Sequence, residues 1–272
     1  MTLSKPIQIF LSLALCFAPL SVEATAFTAS AHSYMLVNRD TGQTLYAHNA
    51  DAPLPPASLT KIMTLFLAFD ALKAGSVKLR EKIKISRAAA ATGGSSMRLL
   101  SGERVPFENL LAGMAVASGN DAAVAVAQRL AKGDARRFVT LMNRKAAALE
   151  MRHTLFKTPN GLPALGQQTT ARDMATLAGA YLRTYPAAAQ LHILHSIYHR
   201  GKTLQTTNTL LGMEGVDGLK TGWTQNSGYN IVVTAQRNGV RLLIVVMGAK
   251  SRSARDEVVR ALLKNGFHTR KR

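Results

Sequence analysis

The sequence predicts an α/β fold of the α+β kind, with one antiparallel sheet drawn from both ends of the chain, helices packed against it and a mostly helical subdomain alongside. Three observations predict it. β-rich, turn-linked runs lie near both ends, segments with apolar residues at helical spacing fill the middle, and no repeat or low-complexity linker divides the 272 residues. With 47% hydrophobic and 18% charged residues, the chain can bury a sizeable core.

Residues 1–26 stand apart. Lys5 precedes the apolar stretch "IQIFLSLALCFAPL", and Ala24-Thr25-Ala26 fits a small-residue cleavage site, so this segment reads as a secretory signal peptide and the mature protein as exported to the periplasm or cell envelope. No stretch holds 18 uninterrupted apolar residues, and no transmembrane helix is expected. The only cysteine, Cys16, lies inside the leader, so the mature chain uses neither disulfides nor cysteine ligands. "SYMLVNRDTGQTLYAHNA" then reads as two strands joined by an Asp40-Thr41-Gly42 turn. A helix begins near Ser58, because Pro55-Pro56 pre-sets the chain, Ser is a favoured cap, and "IMTLFLAFDAL" follows. "EKIKIS" is a short alternating strand, and "AAATGGSSMRLLSGERV" a loop of small residues. Pro106 is expected as the first residue of the helix "PFENLLAGMAVA". Ser118-Gly119-Asn120-Asp121 marks a turn before the helical "AAVAVAQRLA". "DARRFVTLMNRKAAALEM" and "ARDMATLAGAYLRTY" are further helices. "YNIVVTA" and "VRLLIVVMGA" flank "QRNG" as a second hairpin, and "SARDEVVRALLKNGF" closes the chain as a helix.

Three short stretches carry chemistry. On a helix, Ser58 and Lys61 share a face, which places an amine beside a hydroxyl, although a capping serine and a solvated lysine would look the same. Ser118 and Asn120 are also ordinary turn residues. Lys220-Thr221-Gly222 precedes a strand-like run. The glycine permits close approach of a backbone or ligand, and a charged edge strand is the structural alternative. Their order is more specific than any one of them. S-x-x-K, S-x-N and K-T-G, in this sequence and at a helix start, a turn and a strand, are the three elements of the penicillin-recognising serine acyltransferases and hydrolases.

The segments "PLPPASLTKIMT", "GGSSMRLLSGERVPFENLLAGMAVASGNDAA" and "GVDGLKTGWTQNSGYNIVVTAQRNGVRLL" resemble the D-alanyl-D-alanine carboxypeptidases of the low-molecular-mass penicillin-binding group, of the peptidase S11 type. The resemblance runs from about Tyr34 to Phe267. It implies a β-lactamase/transpeptidase-like fold, with a five-stranded antiparallel sheet, a mostly helical subdomain and the active-site cleft between them. It implies removal of the terminal D-Ala from peptidoglycan stem peptides through an acyl-enzyme, with β-lactams as covalent inhibitors and no cofactor. Ser58 would be the nucleophile, Lys61 its base and the first choice for the deacylation base, and Ser118 a proton relay. Asn120, Lys220, Thr221, Gly222, Trp223 and Arg255 would line the substrate site, with the N–H groups of Ser58 and Trp223 as oxyanion donors and Thr221 and Arg255 on the substrate carboxylate. Residues 27–267 would form the catalytic domain and 268–272 a basic tail, without the C-terminal β-domain or anchor of longer relatives.

A D,D-endopeptidase cutting cross-links shares the same motifs, and a penicillin-binding sensor that acylates without turnover remains a third reading. A class A β-lactamase is disfavoured, because no E-x-x-L-N stretch lies between Asn120 and Lys220 and Glu150 is followed by "MRHT". His192, His195 and His199, at i, i+3 and i+7, would share a helix face. With no companion Glu or Cys they read as a surface or interface cluster rather than a metal site. The net charge of +19 favours a polyanion, but 6% aromatics leave little to stack bases on. For an exported chain it points to peripheral contact with anionic wall or membrane, with Arg270-Lys271-Arg272 contributing, and not to nucleic acid.

Overall fold

The computed structural model describes residues 30–268, so the proposed leader and Arg270-Lys271-Arg272 lie outside the described residues. The chain enters as strands β1, Ser33–Asn38, and β2, Thr44–His48, whose turn is fixed by the Asn38 side chain accepting from the N–H groups of Asp40 and Thr41. A single 3₁₀ turn, Ala57–Thr60, leads into helix α1, Lys61–Lys73. Ser58 lies inside that turn and makes no capping bond, so it enters the helix without capping it. Strand β3, Lys82–Lys84, is followed by the short helix α2, Arg87–Ala90, which Ser86 caps through the Ala89 N–H and which takes in only the first two residues of the expected loop. Strand β4, Arg104–Pro106, takes the proline expected to open the next helix; the ring instead ends the strand, and α3 is Phe107–Ala115.

The helical centre continues with α4, Asn120–Leu130, α5, Ala135–Ala148, and α6, Ala171–Thr184. A single turn α7, Ala189–His192, gives way to the hairpin β5, Ser196–His199, and β6, Lys202–Gln205. The chain ends with β7, Val216–Thr224, β8, Gly228–Arg237, β9, Val240–Ala249, and α8, Arg252–His268. Asn238 and Gly239 both take positive φ between β8 and β9, the tight two-residue turn that Asn-Gly favours.

Five strands form one antiparallel sheet in the order β2-β1-β9-β8-β7, which pairs the two ends of the chain through β1 and β9. Both faces are covered. Leu36, Ile231, Val233, Leu242 and Ile244 pack with Val258, Val259 and Leu262 of α8, whereas Val232, Leu243, Val245 and Met247 join the helical core on the other side. This two-sided burial is why β8 and β9 read as continuous apolar runs instead of alternating ones. α1 is buried on most of its circumference, through Ile62, Met63, Leu65, Phe66 and Ala68, and so shows no polar stripe. β7 is the last strand of the sheet and packs beside the turn that carries Ser58.

Candidate active site

Lys61 is the first residue of α1 and is fully buried. Its Nζ lies 2.8 Å from Ser58 Oγ, 2.7 Å from Asn120 Oδ1 and 2.7 Å from the Asn160 carbonyl. The last two oxygens can only accept, whereas the hydroxyl can donate. A neutral amine, with two N–H groups and one lone pair, satisfies all three when Ser58 donates to it. Electrostatics favour that form. Burial first, and then the Lys220 charge, hold the Lys61 ammonium well below the usual lysine range, against a smaller opposing pull from Asp121.

The serine turn is clamped from several sides. Ala57 takes φ 47°, a left-handed conformation that a non-glycine residue holds only under constraint. Gly161 packs so closely that a Cβ there would fall 1.8 Å from the Ala57 carbonyl oxygen. On the opposite side, a Cβ at Gly222 would lie 3.0 Å from Ser58 N and 3.1 Å from Leu59 N. Asn230 Nδ2 donates to the carbonyls of Pro55 and Pro56, and its Oδ1 accepts from Gly248 N, tying the turn to the sheet.

The second lysine is arranged differently. Lys220, buried within β7, donates to Ser118 Oγ at 3.0 Å and to the Thr221 carbonyl at 2.8 Å. Burial, then the charge of Arg255, lowers it to about 7. Ser118 holds φ 57° at the turn before α4, presenting its hydroxyl to Lys220. Asn120 is buried, with Oδ1 on Lys61 and Nδ2 donating to the Gly93 carbonyl at 2.7 Å. Asp121, also buried, accepts from Met97 N, Leu99 N and Ser96 Oγ, and so shapes the segment that follows Ser95.

Above these buried groups opens a cleft of about 260 Å³. Ser58, Ser118, Thr221 and Gly222 reach it from the turns and β7, Trp223 and Tyr229 from the end of the β7–β8 pair, and Arg255 from α8. The Trp223 and Tyr229 rings lie 5.8 Å apart, and Trp223 is exposed. Arg255 is held by its neighbour Asp256, at 2.8 and 2.6 Å, and Asp256 also accepts from Thr209. Thr221 Oγ1 lies 2.7 Å from Thr207 Oγ1. The structure thus brings Ser58, Ser118, Thr221, Gly222, Trp223 and Arg255 to one cleft, with Lys61, Asn120 and Lys220 packed behind it.

Sequence reasoning missed the Asn160 carbonyl, Gly161, Asn230, and the cleft residues Ser95, Thr207 and Arg252. The Pro159-Asn160-Gly161 turn signal was the one available pointer. The histidine expectation needs correction. His192 ends α7 and His199 lies on β5, so no helix face joins His192, His195 and His199. His192 is buried rather than on the surface, and burial lowers it to about 4, leaving a neutral ring. Its Nδ1 donates to the Leu219 carbonyl at 2.9 Å, one residue before Lys220. Among the described residues, no group of three or more His, Cys, Asp or Glu side chains is placed to hold a metal ion.

The sheet with helices on both faces and a cleft along β7 is the fold of the penicillin-binding proteins. Penicillin binding protein 6B from Escherichia coli superposes with a TM-score of 0.82 at 38% identity, over 86% of this chain and 76% of that one. Penicillin-binding protein D2 from Listeria monocytogenes, solved in the ampicillin-bound form, gives 0.79 at 31% identity, over 87% and 97%. Residues 20–251 match the peptidase S11 family, D-alanyl-D-alanine carboxypeptidase, and the chain belongs to that family. D-alanyl-D-alanine carboxypeptidase DacF of Bacillus subtilis is 39% identical over 243 residues, which cover 87% of this chain but only 62% of DacF. No helix among the described residues is long and apolar enough to cross a membrane.

Proposed function

We propose that the protein is a serine-type D-alanyl-D-alanine carboxypeptidase that removes the terminal D-Ala from peptidoglycan pentapeptides. One observation carries the reading: a buried amine, favoured in its neutral form, sits 2.8 Å from a serine hydroxyl that opens into a cleft. A serine hydroxyl is a poor nucleophile until a base takes its proton. Lys61 takes it as Ser58 Oγ bonds to the carbonyl carbon of the penultimate D-Ala. The N–H groups of Ser58 and Trp223 hold the oxyanion, each worth a few kcal/mol of barrier (about 3 by analogy with known donors). The carbon–nitrogen bond then breaks, and Ser118, hydrogen-bonded to Lys220, relays to the leaving D-Ala nitrogen the proton that Lys61 took up, which leaves Lys61 neutral again. Thr221 and Arg255 bind the leaving carboxylate. Water, deprotonated by Lys61, releases the acyl group. The family membership and the occupied site of the Listeria relative support β-lactams as acylating inhibitors of Ser58. No cofactor takes part in this scheme.

The same reading gives the chain an export leader at 1–26, a catalytic unit over 27–267 and a basic tail at 268–272, acting in the cell envelope. The test is mass spectrometry of muropeptides after incubation with the mature protein, beside Ser58→Ala, with a monomeric pentapeptide and a cross-linked dimer as substrates. Loss of one D-Ala from the monomer, absent in the variant, is the expected result. Cleavage of the dimer alone would make the protein an endopeptidase, and acylation without any cleavage would make it a sensor.

A further inference from the structure

We propose that a basic cavity beside the cleft binds a carboxylate carried by the donor peptide upstream of its terminal D-Ala-D-Ala. The inference rests on the carboxypeptidase reading and deepens it. The cavity, of about 170 Å³, is lined by Met97, Arg98, His199, Arg200, Lys202 and Leu204. Three of these side chains are permanent cations. The nearby acid is Glu103, whose Oε1 accepts from Leu100 N and stands 3.8 Å from His199 Nε2, beyond hydrogen-bond reach.

Two features mark the cavity as a built site. The His199 side chain is only 11% exposed, yet its Nε2 has no hydrogen-bond partner, a deficit that buried polar atoms seldom carry and that an acceptor in the cavity would remove. Arg200 and Gly201 form the two-residue turn between β5 and β6, with φ 49° and 74°. Such a turn favours Asn, Asp or Gly at its first position. Arginine is a costly occupant there, and its guanidinium latches the hairpin tip to the Arg98 carbonyl at 3.1 Å, closing the cavity between the two segments.

The two walls of the cavity continue into the cleft. Ser95, three residues before Arg98, and Thr207, five residues after Lys202, both line the cleft. At no more than about 3.3–3.6 Å per residue, the cavity is at most roughly 10–18 Å along the chain from that lining. A stem peptide carries the free α-carboxylate of its γ-linked D-Glu two residues upstream of the acyl-donating D-Ala, about 10 Å away when extended. Charge and reach therefore agree.

The experiment uses two synthetic pentapeptide stems that differ only in that group, one with the free α-carboxylate and one with a carboxamide. Binding is measured by calorimetry to the Ser58→Ala protein, with and without Arg98→Gln plus Lys202→Gln. The free-acid stem should bind about tenfold more tightly, and the double substitution should abolish the preference while leaving affinity for the amide stem unchanged. Equal affinity for both stems, or equal weakening of both by the double variant, overturns the subsite. In the Ser58 enzyme, a stem that binds through its carboxylate yet is not cut would overturn the carboxypeptidase reading and leave the subsite standing. β-Lactam acylation at an unchanged rate in the double variant checks that the catalytic cleft is intact.

Discussion

Lys61 and Lys220 occupy positions where a charge is least welcome, and they respond in different ways. Lys61 is surrounded by two pure acceptors and one hydroxyl, so losing its proton leaves it fully bonded. Lys220 touches a hydroxyl and a carbonyl, both of which accept from its N–H groups, and in the proposed reaction its positive charge would add to the field around the carboxylate that Thr221 and Arg255 bind. Both have folded-state pKa values depressed below the unfolded value near 10.4. For a base this means that the unfolded chain binds more protons between the two pKa values, so the contribution to stability rises with pH across that window. For Lys220 the window opens at about 7 and closes near 10.4. Catalysis runs the other way on that side. The specificity constant kcat/KM should rise through the low pKa of Lys61 and fall as Lys220 loses its proton at about 7. Lys220→Arg keeps the charge at any working pH, so the falling limb should move up by more than about two pH units, even though the bulkier head group lowers the maximum rate. A falling limb at the same pH in the variant would assign it to another group.

At the scale of elements, the serine turn is held by what glycines leave out. Gly222→Ala would push a methyl against the backbone of Ser58, Leu59 and Pro56, all at 3.0–3.1 Å, and backbone atoms yield less than side chains. The turn must shift by a few tenths of an ångström, so β-lactam acylation should slow by about a hundredfold while Tm changes by only a few degrees. Gly161→Ala is harsher, with φ +84° and a contact of 1.8 Å on the Ala57 carbonyl, and should cost more than about 2 kcal/mol of stability by urea unfolding as well. If Gly222→Ala acylates normally, the packing of β7 on the turn does not set the position of Ser58. These contacts show the limit of reading the sequence. Lys220-Thr221-Gly222 revealed that something approaches the glycine closely, and it is the chain's own serine turn. The Asn160 carbonyl could not be read, because a backbone oxygen leaves no mark in residue identity. "HILHSIYH" misled because i, i+3 and i+7 matches also arise when a short helix runs into a strand. Its Ile197 and Tyr198, and the Arg200-Gly201 turn, were the strand signals.

Across the whole molecule, the cleft lies at the seam between the helical core and the edge of the sheet, and the pairing of chain ends that creates this seam was legible. Both terminal hairpins announce themselves by turn residues and β-rich runs, and joining them needs only β1 beside β9. Charge is the other property of the whole molecule that composition fixes. The chain has 34 lysines and arginines against 15 acids, so complete pairing would still leave 19 cations without a protein anion. Several acids are already engaged, among them Glu81 with Arg129, Asp70 with Lys145, Asp51 with Arg172 and Asp256 with Arg255. Apart from the buried Lys61, Lys220 and Arg255, the lysines and arginines among the described residues are at least partly exposed, and there the excess acts as a field rather than as discrete pairs. Screening shortens that field from about 30 Å at 0.01 M salt to about 8 Å at physiological strength. Adsorption of the Ser58→Ala protein without residues 1–26 to purified sacculi should consequently fall several-fold between about 0.01 and 0.3 M NaCl, whereas affinity for a short neutral D-Ala-D-Ala peptide should change far less. Sedimentation with sacculi that is indifferent to salt would mean that the wall is held through the cleft alone, and that the positive charge serves some other contact.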